Sequence, residues 1–151
     1  MGLIERIRVG SNLLPNNPFN PLTAEEYGIV KIKRDLENAE KNIGIEAYEV
    51  AAFLSQQAVE KFLKAAWMHL LGKAPPLTHS LPELGRALNP PPNILKKLAY
   101  LTPDYVISRY PNAANAIPFE IYDEEIARSK VEAAREVIQW LQGRMEKSGS
   151  S

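Results

Sequence analysis

The chain contains no cysteine, so disulfides, zinc–thiolate centres and thiol nucleophiles are all excluded. It has only two histidines, His69 and His79, and they form neither an HxxxH nor an HExxH pair. Its eight glycines are scattered and build no phosphate-binding loop or dinucleotide fingerprint. It also lacks an excess of either charge, since 18 Lys and Arg face 18 Asp and Glu. Nucleic-acid binders usually carry a basic surplus, so neither nucleic acid nor a membrane surface is the expected partner. No run approaches the ~18 uncharged apolar residues that a membrane span needs. The first fourteen residues include Glu5, Arg6 and Arg8 and show no apolar run long enough for a signal peptide. A cytoplasmic location is expected.

The 151 residues, 45% hydrophobic and 24% charged, suit one globular domain that buries a core without staples. Its centre is the stretch Ala47–Gly72, which has no proline and whose only glycine stands where a helix would stop. At 100° per residue, Ala51, Ala52, Leu54, Ala58, Val59, Phe62, Leu63, Ala65, Ala66 and Leu70 share one broad side. The opposite side carries Gln56, Gln57, Glu60, Lys61 and Lys64, with apolar Phe53 before them and Trp67, Met68 and Leu71 after. A helix apolar nearly all round is enclosed by neighbours. The polar middle between apolar ends suits a contact surface, so Phe53, Gln57, Glu60, Trp67, Met68 and Leu71 are expected at a homodimer interface.

Around that helix the chain reads as an irregular arm (1–21), a helical bundle (22–147) and a flexible tail (148–151). Thr23 and Glu26 form a capping box, and Ile29, Ile32, Leu36, Ala39 and Ile43 follow at spacings of three and four. This predicts a first helix over about 23–42, with Gly44 separating it from an antiparallel neighbour. Ser80–Glu83 is a second capping box, opening a short helix that three prolines stop after Asn89. Asn93 is the expected cap of the next helix, and Thr102-Pro103-Asp104 marks a fresh helical start. Residues 111–121 read as a loop, and Asp123 with Glu124 and Glu125 opens a long final helix. The class is all-α, an up-and-down bundle of four to five helices.

Three groups carry candidate chemistry. His69, on the apolar side of the central helix, reads as a hydrogen-bonded core histidine or, alternatively, a ligand. His79 directly precedes a helix start, as a loop residue that orders the cap or as a polar group beside an anion site. Arg109 lies between a serine and Tyr110 with Pro111 next, with Tyr105 four residues before it; its guanidinium can cap the last carbonyls or grip a phosphate while a tyrosine stacks on a base. Lys61 and Lys64 can add point charges from the central helix. The candidate nucleotide or phosphate site is therefore Arg109, Tyr110, Tyr105, Lys61, Lys64 and His79, with no metal, no cofactor and no catalytic residue expected.

The series SQQAVEKFLKAAWMHLLG, then THSLPEL, then SRYP before a long helix resembles the HEPN domain family over roughly residues 24–143. The resemblance implies a small helical bundle, usually dimeric, with a groove implicated in nucleotide binding. Many members are encoded beside a minimal nucleotidyltransferase, in toxin–antitoxin-like systems, and some are ribonucleases. The ribonuclease branch uses an arginine, four to six residues, then a histidine. From Arg109 that histidine would fall at 114, 115 or 116, where the chain has Ala114, Asn115 and Ala116. Asparagine cannot exchange a proton near neutral pH, as general acid–base cleavage requires. The implied function is a non-catalytic HEPN protein that binds a nucleotide or partners a nucleotidyltransferase. The alternative is a metal-independent endoribonuclease toxin, disfavoured by the missing histidine.

Overall fold

The computed structural model describes residues 24–108 and 118–149, with side chains over 28–108 and 120–147. The elements are α1 (Ala24–Gly44), α2 (Tyr48–Ala66, continued by a π-helical turn over Trp67–Leu71), α3 (Leu81–Arg86), α4 (Pro92–Leu101), α5 (Asp104–Ile107), α6 (Pro118–Ile121) and α7 (Glu124–Gly149). The all-α expectation holds, and no strand occurs among the described residues. The arm at 1–21 and the Thr23 cap lie outside them.

On α1 the predicted stripe faces inward: Ile29, Ile32, Ala39 and Ile43 are buried and Leu36 packs against the core. The helix runs two residues beyond the expected end and reverses through 45–47, where Ala47 N donates to Asn42 O at 2.8 Å. The left-handed position of this turn is Glu46 (φ 62°), not Gly44. α2 then returns antiparallel and packs on α1 and α7 along its length, with α3 to α6 over the rest of its surface. Its alanines 51, 52, 58 and 66 are fully buried and let neighbouring helices approach closely. Phe62 and Leu63 anchor the main core with Leu81, Leu84, Leu98, Leu101, Val137 and Leu141. A smaller cluster of Ala39, Ile43, Ala51, Ala127 and Val131 closes the end beside the α1–α2 turn.

Gly72 does stop the central helix, in a left-handed conformation (φ 61°) that glycine adopts without strain. Ser80 caps α3 as expected, its Oγ accepting from Glu83 N at 3.3 Å. The reciprocal half of the capping box is replaced: Thr78 Oγ1 donates to the Glu83 carboxylate at 2.9 Å and accepts from Ser80 N at 3.1 Å. Asn93 is not the cap of α4. That helix begins at Pro92, two residues before the expected start at Ile94, where a missing N–H costs nothing because the first-turn donors lack helical partners anyway. Asp123 accepts from Ile126 N at 2.7 Å and opens α7. The stretch read as loop to 121 contains the short helix α6, and α7 continues to Gly149, past the boundary expected at 147.

Gly85 is buried where α3 meets α4, and a Cβ there would overlap the Leu98 side chain. Because Leu98 is itself fully buried, it has little room to yield. Gly85→Ala is expected to destabilise the protein by about 1–3 kcal/mol, the usual range for overpacking. Urea unfolding checks this, and an unchanged midpoint would show that the contact relaxes freely.

Candidate functional site

Phe53, Gln56, Glu60 and Lys64 recur on α2 at helical spacing, so they form one face, turned toward the 73–80 loop and α5. Glu60 is only 6% exposed. Its Oε1 accepts from Gln56 Nε2 at 3.0 Å and its Oε2 from Lys64 Nζ at 3.0 Å. The Nδ1 of His79 lies 3.0 Å from Oε1 and 3.2 Å from Oε2. Burial alone would raise the Glu60 pKa. The hydrogen bonds from Gln56, Lys64 and His79 outweigh it and hold the carboxyl below its ordinary value, so it is charged at neutral pH.

His79 is held through its backbone as well as its ring. Its carbonyl accepts from Gln56 Nε2 and from Thr102 Oγ1, each at 3.4 Å, while Leu81 N donates to Thr102 Oγ1 at 3.0 Å. The loop is thus clipped to α2 on one side and to the end of α4 on the other. The imidazole stacks on Tyr105, with ring centroids 3.8 Å apart and planes 14° from parallel. Phe53 tilts against the Tyr105 ring at 6.2 Å. Even so, the His79 side chain is 52% exposed.

Tyr105 is placed by its neighbour. Asp104 is buried, accepts from Tyr122 Oη at 2.6 Å through Oδ1, and has Lys130 Nζ 2.8 Å from Oδ2. No aligned hydrogen bond reaches Oδ2, so the pairing with Lys130 is chiefly charge with charge. The Lys130 ammonium also donates to Tyr100 O at 2.6 Å and sits 3.5 Å from the Tyr100 ring centroid. Burial raises the Asp104 carboxyl despite Lys130 and Tyr122, and burial with the adjacent carboxylate pushes the Tyr122 phenol far above its ordinary value. This buried triad ties α5 to α7 and so fixes the ring that covers His79.

The sequence profile of the HEPN domain matches residues 29–145, most of the chain. The chain belongs to the HEPN family. The crystal structure of ST0689, an archaeal HEPN homologue, is similar at 32% identity and a TM-score of 0.70, over 82% of this chain and 99% of that one. The crystal structure of TT1696 from Thermus thermophilus shares the fold at 23% identity and a TM-score of 0.72, over 81% and 98% of the two chains. No curated protein matches the chain.

On this HEPN bundle the residues singled out from the sequence separate into groups. His79, Lys64 and Tyr105 come together, joined by Glu60, which the sequence reading places at an interface. Gln56 and Glu60, expected on a face that contacts a second subunit, are instead buried within their own chain, because the Thr78–Ser80 turn and α5 cover that face. Lys61 points elsewhere and pairs with Asp35 of α1 at 2.6 Å. Arg109 and Tyr110 lie outside the described residues. Of the interface candidates, Gln57 donates to Gln56 at 2.7 Å, Trp67 donates to Leu84 O at 2.8 Å, and Leu71 packs on the core of its own chain. Met68 stays half exposed, and His69 is half-buried on the π-helical turn. Among the described residues no His, Asp and Glu cluster could hold a metal, and no helix is long and apolar enough to cross a membrane.

Two outcomes are expected from these networks. Lys130→Ala leaves Asp104 buried without its counter-charge and should destabilise the fold by about 3–5 kcal/mol, read by urea denaturation. Glu60 has a folded pKa below its ordinary value of 4.5, so its contribution to stability is full above that value and is lost as pH falls through the folded value. Asp104 has a raised pKa and contributes the opposite slope, losing stability as pH rises from 3.8. Glu60→Gln should therefore remove part of the acid-side fall in stability. Parallel acid limbs for the two proteins would overturn this account of Glu60.

Proposed function

We propose that this HEPN protein binds a nucleotide beside the Glu60–His79 cluster, does not cleave RNA, and partners a minimal nucleotidyltransferase in a toxin–antitoxin-like pair. The observation that carries the binding reading is the half-exposed imidazole of His79, rigidly backed by Tyr105 and flanked by Lys64. A planar group held in place is a sequence-tolerant stacking surface for a base, and a nearby ammonium suits a phosphate. Tyr105 already spends one face on His79, so the stacking role passes from the tyrosine to the histidine. Titration calorimetry with ATP, GTP and AMP tests the reading. Binding at about tens of micromolar or tighter, weakened about tenfold by His79→Ala, is the expected result, tenfold being ~1.4 kcal/mol. No heat with any nucleotide would leave a bundle that acts through protein partners alone.

One observation favours the endoribonuclease alternative. A carboxylate facing one histidine nitrogen is how a general base is oriented. The absence of a histidine at 114, 115 or 116, after four to six residues beyond Arg109, weighs against it, and so does the zero net charge. The expected result is that purified protein leaves single-stranded RNA intact with or without divalent ions. Rapid cleavage abolished by His79→Ala would establish the enzyme instead.

For assembly, a homodimer remains the reading, with Met68 rather than Trp67 as its exposed apolar anchor, since Trp67 is engaged within its own chain. Light scattering at micromolar concentration should give twice the chain mass, and Met68→Glu should lower it. A monomer mass for the unmutated protein would remove the dimer.

A further inference from the structure

The Glu60 carboxylate has only acceptors to offer when ionised, and both of its oxygens face the Nδ1 atom of His79. Nδ1 must then carry the hydrogen. In a neutral imidazole the other nitrogen, Nε2, is left with a bare lone pair. We infer that Nε2 of the neutral His79 imidazole is a hydrogen-bond acceptor, so the ligand group that meets it in that state is a donor, a sugar hydroxyl or a base amine.

This rests on the nucleotide reading and sharpens it. Three features hold the ring in that state. Glu60 is itself immobilised by Gln56 and Lys64, so its oxygens cannot turn away from Nδ1. The His79 carbonyl is held from two sides by Gln56 and Thr102, which fixes the backbone from which the ring projects. The Tyr105 stack then blocks rotation of the imidazole out of its plane. A ring flip, which swaps Nδ1 with Cδ2, would turn a carbon toward a buried carboxylate and forfeit its hydrogen bond. The ammonium of Lys64 is the phosphate-compatible group of the cluster, and the imidazole reads the nucleoside part. Against the neutral ring a phosphate oxygen at Nε2 would set lone pair against lone pair, whereas a hydroxyl or amine meets it with a hydrogen.

Two measurements on the full chain test the inference. Long-range proton–nitrogen NMR at pH 8 reads the tautomer directly: a protonated Nδ1 and an unprotonated Nε2 on His79 are expected. The opposite tautomer would overturn the inference whatever the protein binds. Calorimetry then compares AMP with 2′-deoxy-AMP, 3′-deoxy-AMP and the 5′-monophosphate of purine riboside, which lacks the exocyclic amine. Loss of the donor that meets Nε2 should weaken binding about tenfold, for one analogue only, and which analogue it is separates hydroxyl from amine. His79→Phe keeps a flat ring on Tyr105 without either nitrogen and should bind all four ligands alike. Equal affinity of the unmutated protein for all four, or discrimination that survives His79→Phe, would overturn the inference while leaving nucleotide binding standing. If none of the four bound, the nucleotide reading would fall, and the tautomer would decide whether His79 is an acceptor.

Discussion

A carboxylate charge lies on the central helix of the bundle, and the architecture around it is built to keep it there. Glu60 sits on α2 at 6% exposure. An ionised group so far from water is tolerated only when donors replace the hydration it has lost. Those donors come from two places in the chain, Gln56 and Lys64 one turn either side on α2 and His79 from the loop after it. Satisfying Glu60 therefore requires the 73–80 loop to fold back along the helix it has just left. Once His79 is in place, its carbonyl engages Thr102, and the end of α4 is drawn to the same spot. A local electrostatic demand thus becomes a tertiary constraint that links α2, the loop before α3, and the α4–α5 corner.

A second buried carboxylate does the complementary work at a distance. Asp104 is answered by Lys130 and Tyr122, from α7 and the residue just before Asp123, so α5 is pinned to the far side of the bundle. The next residue, Tyr105, projects toward α2 and closes over His79. The two charges differ in how well they are served. Glu60 receives more stabilisation from its donors than burial takes away, whereas for Asp104 burial prevails. Removing one partner from either network exposes an uncompensated interior charge. For Asp104, where burial prevails, the network specifies geometry more than it supplies stability.

Much of the bundle was legible in the chain because helical periodicity and capping are local. The stripe on α1, the stop at Gly72, the Ser80 cap and the Asp123 start all depend on residues within a turn or two of one another. The errors fell where that locality fails. Asn93 looks like a cap, but the prolines before it start the helix without one. Gln56 and Glu60 look like surface because polarity normally means exposure, and only the Thr78–Ser80 turn, folded over them, makes them interior. The Asp104–Lys130–Tyr122 triad left no trace, since its members stand 18 and 26 residues apart with no shared period. Of the proposed nucleotide residues, Lys64, His79 and Tyr105 converge, while Lys61 is turned aside by its position on the helix. One residue along from Glu60 is 100° around the axis, which carries Lys61 to Asp35 and α1.

That rotation bears on what the family resemblance can and cannot carry to this chain. A ribonuclease of this fold, on the arginine-to-histidine pattern, needs its histidine beyond Arg109, where the chain has none. Here the exposed histidine belongs to the turn before α3 and is oriented by a carboxylate from α2. The same bundle therefore supports a polar centre assembled from different elements. Its chemistry follows from which nitrogen Glu60 engages. With Nδ1 committed to a charged and immobile partner, Nε2 of the neutral ring is left as the acceptor. On the proposed reading, recognition of a donor would be a consequence of the buried charge on α2, transmitted through a single imidazole to the surface.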